Sequence, residues 1–151
     1  LSAEPEFDRM RFRLIGDGPL FDATVAPLRG FGNVTLERRF MTQAEIAATH
    51  RDYGVFLCPT RMDSQGVSRD EAMSSGLVPV TTRIAAVPEF VDDASGLLCA
   101  PESAAGLAAA MLRLVREPDL FGRLSAGAAA RVREQRGAYQ MLQAELALFE
   151  A

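Results

Sequence analysis

The sequence predicts an α/β fold, a doubly wound, Rossmann-like parallel sheet with a helical C-terminus. Three observations lead there. Short apolar runs recur along the first two thirds of the 151 residues, each closed by a turn signal. Stretches of helical length separate them, some with their own capping residues. After Glu102 the pattern becomes helical alone. Strands alternating with helices in this way form a parallel sheet, here of about five or six strands with helices on both faces. One domain over residues 1–151 accommodates it, since a chain of this length can bury a real core.

The elements follow in order. Met10-Arg11-Phe12-Arg13-Leu14-Ile15 alternates apolar and basic residues, then stops at Gly16-Asp17-Gly18-Pro19, a strand followed by a turn. Leu20 to Leu28 suits a short helix with Pro27 near its end. Asn33-Val34-Thr35-Leu36 is the next strand. Thr42 and Glu45 form a capping box that opens a helix running to about Asp52. Val55 to Cys58 is a compact strand closed by Pro59, and a polar loop leads from Thr60 to Gly66. A helix from Val67 or Ser68 ends at Gly76. Val78-Pro79-Val80-Thr81 is a strand whose proline favours an edge or an entry position. Pro88 starts a short helical turn, and Gly96-Leu97-Leu98-Cys99 is the last strand. In the helix after Glu102, Leu107, Met111, Leu114 and Val115 share a face. Two further helices cover about Leu120 to Arg133 and Tyr139 to Glu150.

Composition excludes several functions. The formal net charge of −4 argues against nucleic acid as the main partner. All 16 basic residues are arginine, which removes a Walker-type phosphate loop, a Schiff-base lysine and the lysine of a phospho-receiver. His50 is the single histidine, read as a surface helix residue, so a Ser-His-Asp arrangement lacks support. Cys58 and Cys99 each close an apolar run without metal-ligand spacing, and read as buried, reduced strand cysteines. No apolar stretch approaches the roughly 18 residues of a membrane span, and no signal segment opens the chain. The default expectation is a cytoplasmic protein.

In a parallel α/β sheet, ligands bind where the strands end. The most informative such segment runs Pro59-Thr60-Arg61-Met62-Asp63-Ser64-Gln65-Gly66-Val67-Ser68-Arg69-Asp70-Glu71-Ala72-Met73-Ser74-Ser75-Gly76-Leu77-Val78-Pro79-Val80. A strand enters a polar loop with a glycine, and a helix follows. A helix start offers unpaired backbone N–H groups and partial positive charge, which suit a phosphate. Gly66 lets a ligand approach the backbone. Glu71, one turn into the helix, can accept hydrogen bonds from a diol such as ribose. Asp63 stands eight positions ahead of it.

This segment resembles the signature of retaining, nucleotide-sugar-dependent glycosyltransferases of the two-domain GT-B fold (glycosyltransferase family four, or glycosyl transferases group one). The usual form is Pro-Ser, a few residues, Glu-Gly-Phe-Gly, four residues, then Glu-Ala-Met-Ala-x-Gly-x-Pro-Val. Pro59-Thr60 matches the opening, Gly66 the second glycine, and Glu71 to Val80 the end, with one extra residue in Leu77-Val78. Asp63 stands where the family has Glu, and Ser64-Gln65 replaces Gly-Phe. Gly16-Asp17-Gly18-Pro19 resembles the family's glycine turn, and Pro88-Glu89-Phe90-Val91 with Gly96-Leu97-Leu98 its Pro-Glu segment, with Ala85-Ala86 where two glycines are common. The likeness covers about Phe12 to Val115.

The resemblance implies the roles. Glu71 takes the ribose hydroxyls and Asp63 a hydroxyl of the donor sugar, and these two are the expected catalytic residues. Ser64, Gln65, Gly66 and Val67 meet the sugar or diphosphate through backbone N–H groups. Gly16 belongs to the glycine turn, and Arg38 and Arg39, in the loop after Leu36, lie near the base unless they are a plain surface pair. No metal and no cofactor are expected beyond the nucleotide-diphosphate-sugar substrate. The family precedes its Gly-x-Gly-Pro strand with a further strand and a Lys-Gly loop, so this chain is expected to be a fragment, truncated at its N-terminus, inactive alone and lacking the acceptor domain. That N-terminal domain would bind the saccharide, lipid or other acceptor, and the full-length protein could sit at the membrane periphery. A receiver-like module with Asp63 as phospho-acceptor and a GT-B sugar epimerase are the alternatives.

Overall fold

The computed structural model describes residues 1–149. Five strands and seven α-helices alternate among them: β1 (Phe12–Gly16), α1 (Phe21–Val25), β2 (Val34–Arg38), α2 (Gln43–His50), β3 (Val55–Cys58), α3 (Val67–Ser74), β4 (Val78–Thr82), α4 (Val87–Phe90), β5 (Leu97–Cys99), α5 (Ala104–Arg116), α6 (Pro118–Arg136) and α7 (Ala138–Phe149). The expected α/β class and helical C-terminus are present. Glu150, the expected last residue of the final helix, lies outside the described residues.

The expected single sheet is divided. β1 pairs with β2, and β3-β4-β5 form a second sheet, every pairing parallel. The chain correspondingly forms two compact units, Leu1–Ala48 and Thr49–Ala151. Apolar runs count strands, but register between strands distant in sequence is set by packing, so the pattern cannot say which ladders close.

The first unit pairs Phe12 with Val34 through Gly16 with Arg38. Its aromatic centre is Phe7, which stacks on Phe12 at 5.6 Å and meets Phe31 edge-on at 5.1 Å. Asn33 Nδ2 ties this cluster down by donating to the carbonyls of Phe7 and Met10, at 2.8 and 3.1 Å. The capping box forms as expected: the Glu45 carboxylate accepts from the Thr42 N–H at 2.8 Å, and Thr42 Oγ1 accepts from the Glu45 N–H at 3.3 Å. β2 runs on to Arg38, so Arg38 closes a strand and does not sit in a loop after Leu36.

In the second unit β4 is central and buried throughout. Val78 and Val80 turn to one face, where Leu114 of α5 and Leu120 and Leu124 of α6 cover them. On the other face Met73 of α3, Val87 and Val91 cluster with Ala128 of α6. Both faces are thus covered, which defines double winding. Pro79 sits in this central strand without breaking it. The Val78 N–H bonds the Gly54 carbonyl on the β3 side, so alternation turns residue 79 toward β5. That ladder begins only at Val80 with Leu97, and no N–H is missed. Pro79 therefore holds the entry position anticipated, in a strand that is not an edge.

The helices bring one correction. α5 buries Leu112 and Leu114, whereas Val115 is exposed. Leu107, Met111 and Leu114 of the expected face do pack on the core around β4, so only Val115 falls outside it. α6 itself is anchored closely: Ser125 Oγ donates to the Gly76 carbonyl at 2.6 Å, and Arg131 bonds Asp92 and the carbonyls of Glu89 and Phe90.

Candidate donor-binding site

The β3–α3 crossover carries the sequence-predicted residues. Two threonines fix its start: Thr81 Oγ1 donates to the Cys58 carbonyl at 2.9 Å and Thr82 Oγ1 to the Thr60 carbonyl at 2.6 Å. The loop thus leaves the carboxyl end of β3 clamped to the carboxyl end of β4, the edge where ligands of parallel sheets bind. Thr60 Oγ1 also closes a local turn, accepting from the Met62 N–H and donating to the Met62 carbonyl.

Gly66 caps α3 in the left-handed conformation, at φ +70°. A side chain there is excluded twice, by that backbone and because a Cβ would overlap the Arg69 guanidinium. Val67 opens the helix and is exposed, as are Ser64 and Gln65, so the first turn faces solvent. Glu71 lies four residues beyond Val67, about 6 Å along the axis, and is half-buried. Ala72 and Met73 beside it are buried core, as expected.

Arg69 is the residue that sequence reasoning missed. Its side chain is 1% exposed, with the Phe90 ring 4.9 Å from the guanidinium carbon. It donates to the Gln65 carbonyl at 2.7 Å, to Asp63 Oδ2 at 3.3 Å, and twice to Asp70 Oδ1 at 3.0 and 3.2 Å. A buried guanidinium survives only with its donors matched to acceptors, and here two carboxylates and a carbonyl do so. A signal existed. Arg69 shares a helix face with Ala72 and Met73, at i, i+3 and i+4, and that face is the buried one.

His50 departs from expectation too. It is buried at the end of α2, with Phe56 edge-on at 6.5 Å. The backbone of Glu71 lies close to its ring. Burial holds its pKa below the ordinary histidine value, against the opposing effect of the Glu71 charge and backbone. The end of a helix packed against Phe56 of β3, not a surface, is its setting. Of the cysteines, Cys99 is buried and Cys58 half-buried; both are free thiols, with pKa pushed up by burial.

Gly16, Arg38 and Arg39 belong to the first unit. The Gly16 carbonyl accepts from the Arg39 N–H at 3.1 Å. Arg38 donates to Asp17 at 2.7 Å and Asp22 at 2.8 Å, and Arg39 to Glu37 at 2.9 Å and Glu45 at 2.8 Å. Both arginines are therefore committed to carboxylates. Arg13 and Arg39 together bond Glu37 and hold its carboxyl down at about 2.

Two more arginines stand at the carboxyl edge of the second sheet. Arg61 pairs with Glu102 at 3.3 Å, both well exposed. Arg83, the first residue past β4, is exposed and forms no ion pair among the described residues. Its backbone N–H bonds the Cys99 carbonyl at 2.7 Å. Beyond it, Ala85 is held at φ +46°, in the left-handed region that favours glycine. Among the described residues there is no cluster of three metal-ligating side chains, and no helix is long and apolar enough to cross a membrane. A shallow cavity of about 310 Å³ borders β5 and α5, lined by Asp93, Cys99 and Arg113 among others, and holds none of the candidate residues.

Comparison with known proteins bears on the fold and the family. The fold is similar to sucrose-phosphate synthase from Thermosynechococcus elongatus (TM-score 0.74, 22% identity), covering 91% of this chain and 38% of that one. It is similar to TarM of S. aureus, solved with fondaparinux, alpha-GlcNAc-glycerol and UDP (TM-score 0.79, 20% identity), covering 97% of this chain and 30% of that one. The chain thus spans about a third of the length of these two structures. It is also similar to the C-terminal domain of the glycosyl transferase group 1 family protein LpcC from Francisella tularensis (TM-score 0.64, 17% identity), and here covers 86% of this chain and 89% of that one. The expected Rossmann-like half of a GT-B fold is the architecture they have in common. No curated protein matches the sequence. The profile of the family described as glycosyl transferases group 1 matches residues 1–117, and the chain belongs to that family.

Proposed function

We propose that the chain is the donor-binding domain of a retaining, nucleotide-sugar-dependent glycosyltransferase of hexosyltransferase type. In the full-length enzyme a separate N-terminal domain holds the saccharide, lipid or other acceptor, and the donor-binding domain is inactive by itself. One observation carries the reading. A single crossover presents an acidic loop residue, a left-handed glycine, an exposed helix start and a second acidic residue one turn on. Family membership sets the receiver-like alternative aside.

Glu71 holds the ribose hydroxyls and Asp63 a hydroxyl of the donor sugar. Backbone N–H groups from Ser64 to Val67 and the start of α3 meet the sugar or the diphosphate, where a helix N-terminus stabilises developing negative charge. Arg83 is the guanidinium open to the departing diphosphate. Gly16, Arg38 and Arg39 bind on the base side, which requires the arginines to exchange carboxylate partners. Transfer needs no metal or other cofactor. The enzyme works in the cytoplasm or at the membrane periphery.

Titration with UDP, the diphosphate that accompanies TarM, and with ADP and GDP tests the reading. Charge-assisted hydrogen bonds are worth roughly 1.5–3 kcal/mol each, so Glu71→Gln weakens binding by about tenfold or more without unfolding the chain. A 2′,3′-dideoxy nucleotide costs the wild type a similar factor and the variant little. Equal dideoxy penalties in both would show that Glu71 does not touch ribose. Chelator in the same titration leaves the affinity unchanged; a loss on chelation would overturn metal independence.

A further inference from the structure

We infer that Arg69 is a positioning residue that shapes the sugar end of the donor site without touching the ligand. The inference rests on the donor-site reading and extends it to a side chain that lies beneath the loop. Three of its contacts bear on geometry. The guanidinium holds Asp63 through Oδ2, takes the Gln65 carbonyl, and occupies the space under Gly66. A single planar fork therefore fixes the orientation of the acidic loop residue and of the peptide that precedes the capping glycine. Turning the Gln65 carbonyl inward turns the following N–H, that of Gly66, away from it across the planar peptide. The Gln65 carbonyl thus faces Arg69, and the Gly66 N–H is left on the opposite side, where a ligand oxygen can meet it.

Asp70 completes the device. Its Oδ1 takes two bonds from the guanidinium, so the fork is anchored within α3 and the loop is hung from the helix. Asp63 and Asp70 keep an edge open to solvent, at 17% and 15% exposed, over the sealed Arg69. The Phe90 ring covers one face of the guanidinium, which leaves it little room to turn. Glu71 makes no contact with this fork, so the ribose end should be independent of it. The separation is what makes the inference testable.

The measurement is the ratio of dissociation constants between a nucleoside diphosphate and its own sugar donor, using UDP with UDP-glucose and UDP-GlcNAc, and GDP with GDP-mannose. For the donor that the wild type prefers, this ratio exceeds one. Arg69→Gln brings it to about one, a loss of about tenfold for a charge-assisted contact, while the diphosphate alone binds within about twofold of wild type. Arg69→Lys keeps the charge but can reach only one of the loop acceptors, so it lowers the ratio part of the way. It also carries the test if Arg69→Gln shows no cooperative melt. Asp63→Asn lowers the ratio in the wild type and adds nothing in the Arg69→Gln background, because one acts through the other.

Several results would overturn the inference alone: an unchanged ratio in Arg69→Gln, equal weakening of diphosphate and donor, or additive effects of the two substitutions. The second of these would mark Arg69 as purely structural. A wild-type ratio of one for every donor also removes it, since no sugar contact would remain to be positioned. Failure of the wild type to bind any diphosphate would overturn the proposed function, and this inference with it.

Discussion

The two units differ in one use of charge. In Leu1–Ala48, arginines and carboxylates link into an exposed lattice: Arg29 and Arg38 share Asp22, Arg38 reaches Asp17, and Arg13 and Arg39 share Glu37. In Thr49–Ala151, beside exposed pairs such as Arg61 with Glu102, the Arg69 guanidinium is buried under the β3–α3 loop between two carboxylates. Exposed pairs contribute little, because water competes and long side chains must be ordered. Breaking a buried pair strands a desolvated charge, which costs about 3–5 kcal/mol. The same chemistry is therefore adjustable where it is exposed and fixed where it is buried. Under the proposed function, an arginine that must trade a carboxylate for a ligand belongs to the first kind, and one that must hold a loop still belongs to the second.

The glycines of the predicted site give the largest expected contrast. At Gly66 an added methyl meets both the left-handed backbone and the Arg69 guanidinium. Gly66→Ala is expected to cost about 2–4 kcal/mol, combining backbone strain with overpacking. At Gly16 an added methyl would find nothing within 4 Å, and φ is not positive. Gly16→Ala should leave stability within about 0.5 kcal/mol. Denaturant melts of the two variants check this, and similar losses at both would dissolve the contrast.

Acid should separate the units in two steps. His50 has a depressed pKa in the folded chain, so the unfolded chain binds the proton first. Its contribution is complete above the ordinary value of 6.5 and is lost as pH falls below it. Glu37 is depressed from 4.5 to about 2, so the stability it lends is present above 4.5 and lost as pH falls toward 2. Melts across pH should show His50→Gln flattening the slope just below 6.5 and leaving the acid limb intact, and Glu37→Gln doing the reverse. One common slope insensitive to both substitutions would mean that neither group governs acid unfolding.

The smallest effect is expected at Ala85. Relieving its left-handed backbone with Ala85→Gly is opposed by the greater entropy of glycine in the unfolded chain. The net gain should be about 0.5–1 kcal/mol, read as a higher melting midpoint. A lower midpoint would show that this turn is not strained.

Much was legible in the sequence because its causes are local. The capping box at Thr42 and Glu45, the strand Val55–Cys58, the helix from Val67 and the turn at Gly76 each depend on residues a few positions apart. The acidic spacing from Asp63 to Glu71 was visible for the same reason, since loop and helix start are contiguous in the chain. The burial of Arg69 and His50, the division into two ladders and the exposure of Val115 were decided only by tertiary structure. Whether an arginine is solvated or sealed depends on what covers it, and Phe90 comes from twenty-one residues away. Sequence periodicity states which side chains share a face. Burial and pairing partners follow from how the faces meet, and that is a property of the folded chain.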